Sequence, residues 1–160
     1  MRKLAVLLSA AAALSTLPAA ARAGTVLEGS LGLGWEVSPS TQRQPINIMI
    51  APGLTFADDI LCAELGLVGN LGDVKDSKFD LELRPMLLIR PPVFPLYFRA
   101  VLAVTNLVHS PLHVAYGGAV GTEFGVGGVG LFIEAGVLPR SVSDQMLWVI
   151  EGRAGARFTF

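Results

Sequence analysis

Eight separate runs of this chain alternate apolar and polar side chains with a period of two, and that period belongs to half-buried strands rather than helices. The runs are 26–37, 46–56, 60–68, 79–89, 96–105, 112–124, 129–138 and 146–160, separated by clusters of Gly, Pro, Asp and Ser. In the first, Leu27, Leu31, Leu33, Trp35 and Val37 share one face, opposite Glu28, Ser30 and Glu36. In the fourth, Phe79, Leu81, Leu83, Leu87 and Ile89 oppose Asp80, Glu82 and Arg84. Most runs are close to the ~9–11 residues that a tilted strand needs to cross a bilayer.

Charge placement sharpens the reading, because an Arg or Lys facing lipid at mid-membrane costs about 2–4 kcal/mol. Eight acids (Glu28, Glu36, Glu64, Asp80, Glu82, Glu123, Glu134, Glu151) and four bases (Arg84, Arg99, Arg153, Arg157) fall on the polar faces. The other charges after residue 23 fall in the expected connections. Strands with several charges test this independently of the chosen phase: 28 and 36, then 80, 82 and 84, then 151, 153 and 157 each keep one parity. A soluble sandwich or lipocalin-like barrel also alternates, with its apolar face turned inward. Two features favour lipid outside: after residue 23 Lys occurs only at Lys75 and Lys78, and the polar faces are rich in small residues such as Gly32, Ala115, Gly121 and Gly136.

The N-terminus reads as a secretory signal: Arg2 and Lys3, an apolar run from Leu4 to Leu17, then Ala21-Arg22-Ala23 before a cleavage point at Gly24. Residues 1–23 are therefore expected to be removed and 24–160 to form one domain, with nine basic against thirteen acidic side chains. After the signal no stretch reaches 18 uninterrupted apolar residues, so any membrane contact must come from strands. The one cysteine, Cys62, has no partner for an internal disulfide and reads as a buried, inert thiol.

At the other end, Arg153-Ala154-Gly155-Ala156-Arg157-Phe158-Thr159-Phe160 places polar and apolar side chains on opposite sides of a strand. A polar residue, a Gly, an aromatic and a terminal Phe resemble the C-terminal signature of bacterial outer-membrane β-barrel proteins. The resemblance implies an all-β fold: an eight-stranded antiparallel up-and-down transmembrane barrel. It also implies an assembly machinery that reads Gly155, Phe158 and Phe160. Export through the general secretory route, outer-membrane lipid as the surrounding partner and a monomeric state are the matching expectations.

For such a barrel, 38–45, 69–78, 106–111 and 139–145 read as outer loops, and 57–59, 90–95 and 125–128 as periplasmic turns. Pro91, Pro92 and Pro95 cannot donate ladder hydrogen bonds and mark a strand boundary. Trp35, Phe56, Phe79, Phe98, Tyr116, Phe124, Trp148 and Phe160 lie near strand ends, as interfacial girdles require.

Eight strands enclose a space that side chains just fill, which argues against a wide diffusion pore. The lumen set is Glu28, Glu36, Glu64, Asp80, Glu82, Arg84, Arg99, His113, Glu123, Glu134, Glu151, Arg153 and Arg157, and pairs such as Glu82 with Arg99 or Glu151 with Arg84 are expected to bridge it. With eight acids to four bases, any narrow ion path favours cations. The leading functional expectation is an integral outer-membrane barrel with a structural or surface-interaction role and no enzymatic activity. One alternative is a lipid A-modifying enzyme, an acyl hydrolase, for which His109 and Ser110 are the only candidates, without an accompanying family motif. Another is a soluble periplasmic barrel that binds a small hydrophobic ligand. No Cys/His cluster, phosphate loop or basic patch is present, so no cofactor, metal or nucleic-acid role is expected.

Overall fold

The computed structural model describes residues 24–38, 42–43, 46–71, 79–108, 112–142 and 145–160. Eight long strands follow one another around a single antiparallel sheet: β1 (Thr25–Ser38), β3 (Ile46–Phe56), β4 (Leu61–Leu71), β5 (Asp80–Ile89), β6 (Leu96–Thr105), β7 (His113–Val126), β8 (Val129–Val142) and β9 (Gln145–Thr159). A two-residue strand, β2 (Gln42–Arg43), pairs with Trp35 and Glu36 beyond the start of β3. The sheet closes on itself where β9 pairs with β1, from Val26↔Thr159 to Ser38↔Trp148. Closure matters physically, because an open edge in hydrocarbon leaves backbone groups unsatisfied at several kcal/mol each.

Each strand presents its polar parity inward. Along β3 buried Asn47, Met49 and Ala51 alternate with exposed Ile46, Ile48 and Ile50. Along β6 buried Tyr97, Arg99, Val101 and Ala103 alternate with exposed Leu96, Phe98 and Leu102. The outside is a wall of Leu, Ile, Val and aromatic side chains, while the inside holds fully buried Glu28, Glu82 and Arg157. This inverts the soluble arrangement, in which buried charges are rare and large apolar patches are covered.

The connections explain where the strands stop. At the end carrying the termini, Gly127 and Gly128 form a two-residue hairpin closed by Val126↔Val129. Gly127 has φ +67°, and a positive φ at the first central position fits the primed turns that match strand twist. Between β3 and β4, Ala57, Asp58 and Asp59 all take left-handed backbone angles, and the Ile60 N–H donates to the Ala57 carbonyl at 3.2 Å. Pro91 to Pro95 separate β5 from β6, as their missing donors require.

Several boundaries differ from those expected. The stretch 139–145 is mostly strand, because β8 runs to Val142 and β9 starts at Gln145, with Val142↔Gln145 paired. Likewise β4 continues to Leu71, and the turn expected at 125–128 narrows to Gly127-Gly128. Pro139, Asn70 and Gly125 read as breakers in isolation, but the neighbouring ladder holds each of them in register. Residues 1–23, Lys75, Lys78, His109, Ser110 and the 143–144 connection lie outside the described residues.

Candidate functional site: a charged barrel interior

Inward-facing positions on seven strands build a continuous arginine–carboxylate network. Nearer the termini, Arg99 on β6 grips Glu28 on β1 through both guanidinium Nη atoms, at 3.1 and 2.7 Å. The same guanidinium lies 3.5 Å from Glu64 and 3.4 Å from Glu134. Arg157 on β9 donates to Glu28 at 2.7 Å and to Glu64 at 3.1 Å, and also contacts Glu123. Farther along, Arg84 on β5 forks onto Glu151 at 2.7 and 2.9 Å while its Nε donates to Glu82 at 2.5 Å. Arg153 adds donations to Glu151 (2.5 Å), Asn47 (2.7 Å) and Ser30 (3.0 Å). Glu134 joins the two clusters, lying 3.7 Å from Arg153.

Such forked pairs satisfy two lone pairs at once, which a buried carboxylate needs to offset its desolvation. Aromatic rings complete the termini-side cluster. Tyr97 and Phe132 meet edge to face at 6.4 Å, and the guanidinium carbons of Arg99 and Arg157 lie 5.5–5.8 Å from both ring centres. The Tyr97 hydroxyl donates to Glu134 at 2.9 Å. Two glycines make room for these rings. A Cβ on Gly121 would stand 2.5 Å from the Tyr97 ring, and one on Gly155 would stand 2.7 Å from Phe132 and 2.5 Å from Ser30.

The structure corrects one expected pair. Glu151 does bridge to Arg84, but Glu82 is held by Arg84, its neighbour on the same strand, whereas Arg99 serves Glu28, Glu64 and Glu134. The charge balance also shifts. Arg90, expected in a turn, reaches back to Glu123 at 2.8 Å and supplies another base at the mouth. Of the remaining candidates, Asp80 accepts from the Asn106 N–H at 3.1 Å, Glu36 is buried toward the far end, and His113 is half-buried on the inward side. Phe158 and Phe160 project outward, but Gly155 faces the interior, so it has a packing duty beside any part in assembly.

Tyr97, Phe132, Asn47 and Arg90 belong to the interior although the candidate set omitted them. Parity alone marks Phe132 as inward, an aromatic at an otherwise polar position beside Glu134. Cys62 also points inward, is fully buried, and donates to Glu64 at 3.5 Å.

Little space remains within the arginine–carboxylate network among the described residues. A cavity of about 20 Å3 is enclosed by Arg84, Arg99, Glu134, Glu151 and Arg153 with Leu138, room for roughly one water. A wider recess of about 350 Å3 opens at the termini end, lined by Asp59, Arg90, Tyr97 and Glu123 among others. Among the described residues no group of His, Cys, Asp and Glu is arranged to hold a metal ion.

A closed eight-stranded antiparallel barrel with its charges inside and its apolar side chains outside has the architecture of the small outer-membrane barrels. Among solved structures, the chain is similar to the crystal structure of Neisserial surface protein A (NspA), with 12% identity, 85% of this chain and 97% of that chain covered, and a TM-score of 0.62. It also aligns with the N-terminal β-barrel domain of Pseudomonas aeruginosa OprF at 12% identity, covering 84% of this chain and 97% of that one, with a TM-score of 0.45. No family model matches the sequence, and no curated protein matches it significantly.

Proposed function

We propose that this chain is an integral outer-membrane barrel with a structural or surface-directed role, its interior held shut by the arginine–carboxylate network. The observation that carries this reading is the inverted surface: closed backbone pairing, apolar side chains around the outside and ion pairs within. Nine charged side chains are buried, an arrangement that suits a barrel whose exterior must be apolar, which is the condition lipid imposes. A soluble ligand-binding barrel needs the opposite polarity. The similarity to a protein named for the cell surface agrees with this reading. In the proposed orientation the termini lie on the periplasmic side, and the C-terminal strand hands the chain to the assembly machinery.

Recovery in outer-membrane fractions, with migration on a denaturing gel that changes on heating, is the expected result. A chain that fractionates as a soluble protein would overturn it. Any residual conduction through the lumen favours cations, because carboxylates outnumber guanidinium groups along it; single-channel recordings with anion selectivity would refute that refinement. The role is read as non-enzymatic, so replacing His109 and Ser110 should leave lipid A acylation unchanged.

A further inference from the structure

We propose that the termini-side cluster binds one proton, held on Glu64 as a neutral carboxylic acid at neutral pH while the carboxylates around it stay ionised. The inference concerns the interior alone and holds whatever surrounds the barrel. Around Glu64, three cations meet four carboxyl groups. Arg90, Arg99 and Arg157 face Glu28, Glu64, Glu123 and Glu134, and Arg153, which also approaches Glu134 at 3.7 Å, is held closer by Glu151 at 2.5 Å. Three of the four are well served: Glu28 by the Arg99 fork, Glu123 by Arg90 and Arg157, and Glu134 by Arg99 and the Tyr97 hydroxyl. Glu64 takes what is left, Arg157 Nη2 at 3.1 Å and Arg99 Nη2 at 3.5 Å, and both of those nitrogens lie closer to Glu28, at 2.7 Å.

The two oxygens of Glu64 are also used differently. Oε1 accepts from Arg157 at 3.1 Å and from the Cys62 thiol at 3.5 Å. Oε2 is buried and accepts no hydrogen bond, although Arg99 stands 3.5 Å away. A carboxylate has two equivalent oxygens that both attract donors, whereas a carboxylic acid has one acceptor oxygen and one hydroxyl. The second pattern is the one observed. Glu28 is the neighbouring acceptor for that hydroxyl, since three guanidinium N–H groups occupy only part of its roughly four lone-pair sites.

Neutralisation has a physical cause, because two carboxyl groups that share one dry site do not both ionise readily. Glu64 is 5% exposed and lines neither the small inner cavity nor the recess at the mouth, so a proton is the compensating charge that fits. Across the ladder it faces Gly53 on β3 and Met86 on β5, which cannot titrate. The titratable and charged groups around it are Glu28 on β1, Cys62 on β4, Tyr97 and Arg99 on β6, Glu123 on β7, Glu134 on β8 and Arg157 on β9. A Glu in the unfolded chain ionises near pH ~4.3, so above that pH folding takes up this proton. Rising pH therefore favours the unfolded chain, by up to about tenfold in the unfolding constant per pH unit.

The test is infrared difference spectroscopy of the full, folded chain, wild type against Glu64→Gln, with urea unfolding across the neutral and alkaline range. Wild type should show the carbonyl stretch of a protonated carboxyl at neutral pH, absent in Glu64→Gln and retained in Asp58→Asn, an exposed turn position. Gln mimics the neutral acid, so Glu64→Gln should unfold nearly as wild type does at neutral pH and lose the rise of the unfolding constant with pH. If Glu64→Gln does not fold, Cys62→Ala assigns the band, because removing the thiol that donates to Oε1 should shift it. A wild-type barrel without the band, a band that survives in Glu64→Gln or stays unshifted in Cys62→Ala, or equal pH dependence in wild type and Glu64→Gln overturns the inference. Fractionation of the chain as a soluble protein would defeat the membrane reading and leave this one standing.

Discussion

Replacing Arg99 with Met should be among the costliest single changes in the molecule. Arg99 is 2% exposed and has three carboxylates within reach: Glu28 at 2.7 Å, Glu134 at 3.4 Å and Glu64 at 3.5 Å. Pairs at such distances attract by roughly 4 kcal/mol at an effective dielectric near 20, and most of that only offsets the desolvation of the buried charges. Removing the cation leaves the desolvation in place without its compensation. Met preserves much of the volume, so the cavity contribution stays small and the loss is electrostatic. The expected destabilisation is about 3–5 kcal/mol, the range for breaking a buried pair. Urea unfolding of the barrel in lipid vesicles, followed by heat-modifiable gel migration, would measure it. The double variant Arg99→Met/Glu28→Gln should cost less than the sum of the single variants by roughly 2 kcal/mol, because it also removes an orphaned charge. An Arg99→Met cost below about 1 kcal/mol, the size of an exposed pair, would refute the claim that this network is dry and structural. So would strict additivity in the cycle.

Three further outcomes follow from the same geometry. Ile50→Arg, at an outward position 58% exposed on β3, should destabilise the barrel in vesicles by about 2–4 kcal/mol, whereas a soluble fold would tolerate it; the same urea titration distinguishes these. Gly155→Leu should cost about 1–3 kcal/mol by overpacking against Phe132 and Ser30, and pairing it with Phe132→Ala should recover part of the loss if the contact is the cause. Phe160→Ala should leave the unfolding midpoint of refolded protein nearly unchanged, since Phe160 is 77% exposed, yet lower the amount assembled in cells; equal amounts by outer-membrane immunoblot would count against a role in assembly.

How much of this was legible beforehand differs between wall and interior. Parity separated Leu27 from Glu28 and Ile150 from Glu151 correctly, because successive side chains of a strand point to opposite faces whatever lies around it. The Pro91–Pro95 boundary was equally local. Breakers within paired strands misled, as at Pro139, where the extended β8–β9 ladder outweighs the preference of a single residue. Arg90 was missed because a long side chain beyond a strand end can fold back to Glu123, and no periodicity encodes that reach.

The sequence by itself determined that strands form, which face of each is polar and where most of them turn, since all three depend on neighbours in the chain. Only the tertiary structure decided which charges meet. Glu28 and Arg99 are 71 positions apart on strands that do not adjoin, and their encounter depends on closure of β9 onto β1 and on the stagger accumulated around the barrel. The same closure decides that Glu82 goes to Arg84 while Arg99 takes Glu28. The closed ladder likewise sets Ala100, Gly118 and Val137 side by side, although along the chain they lie on three separate strands.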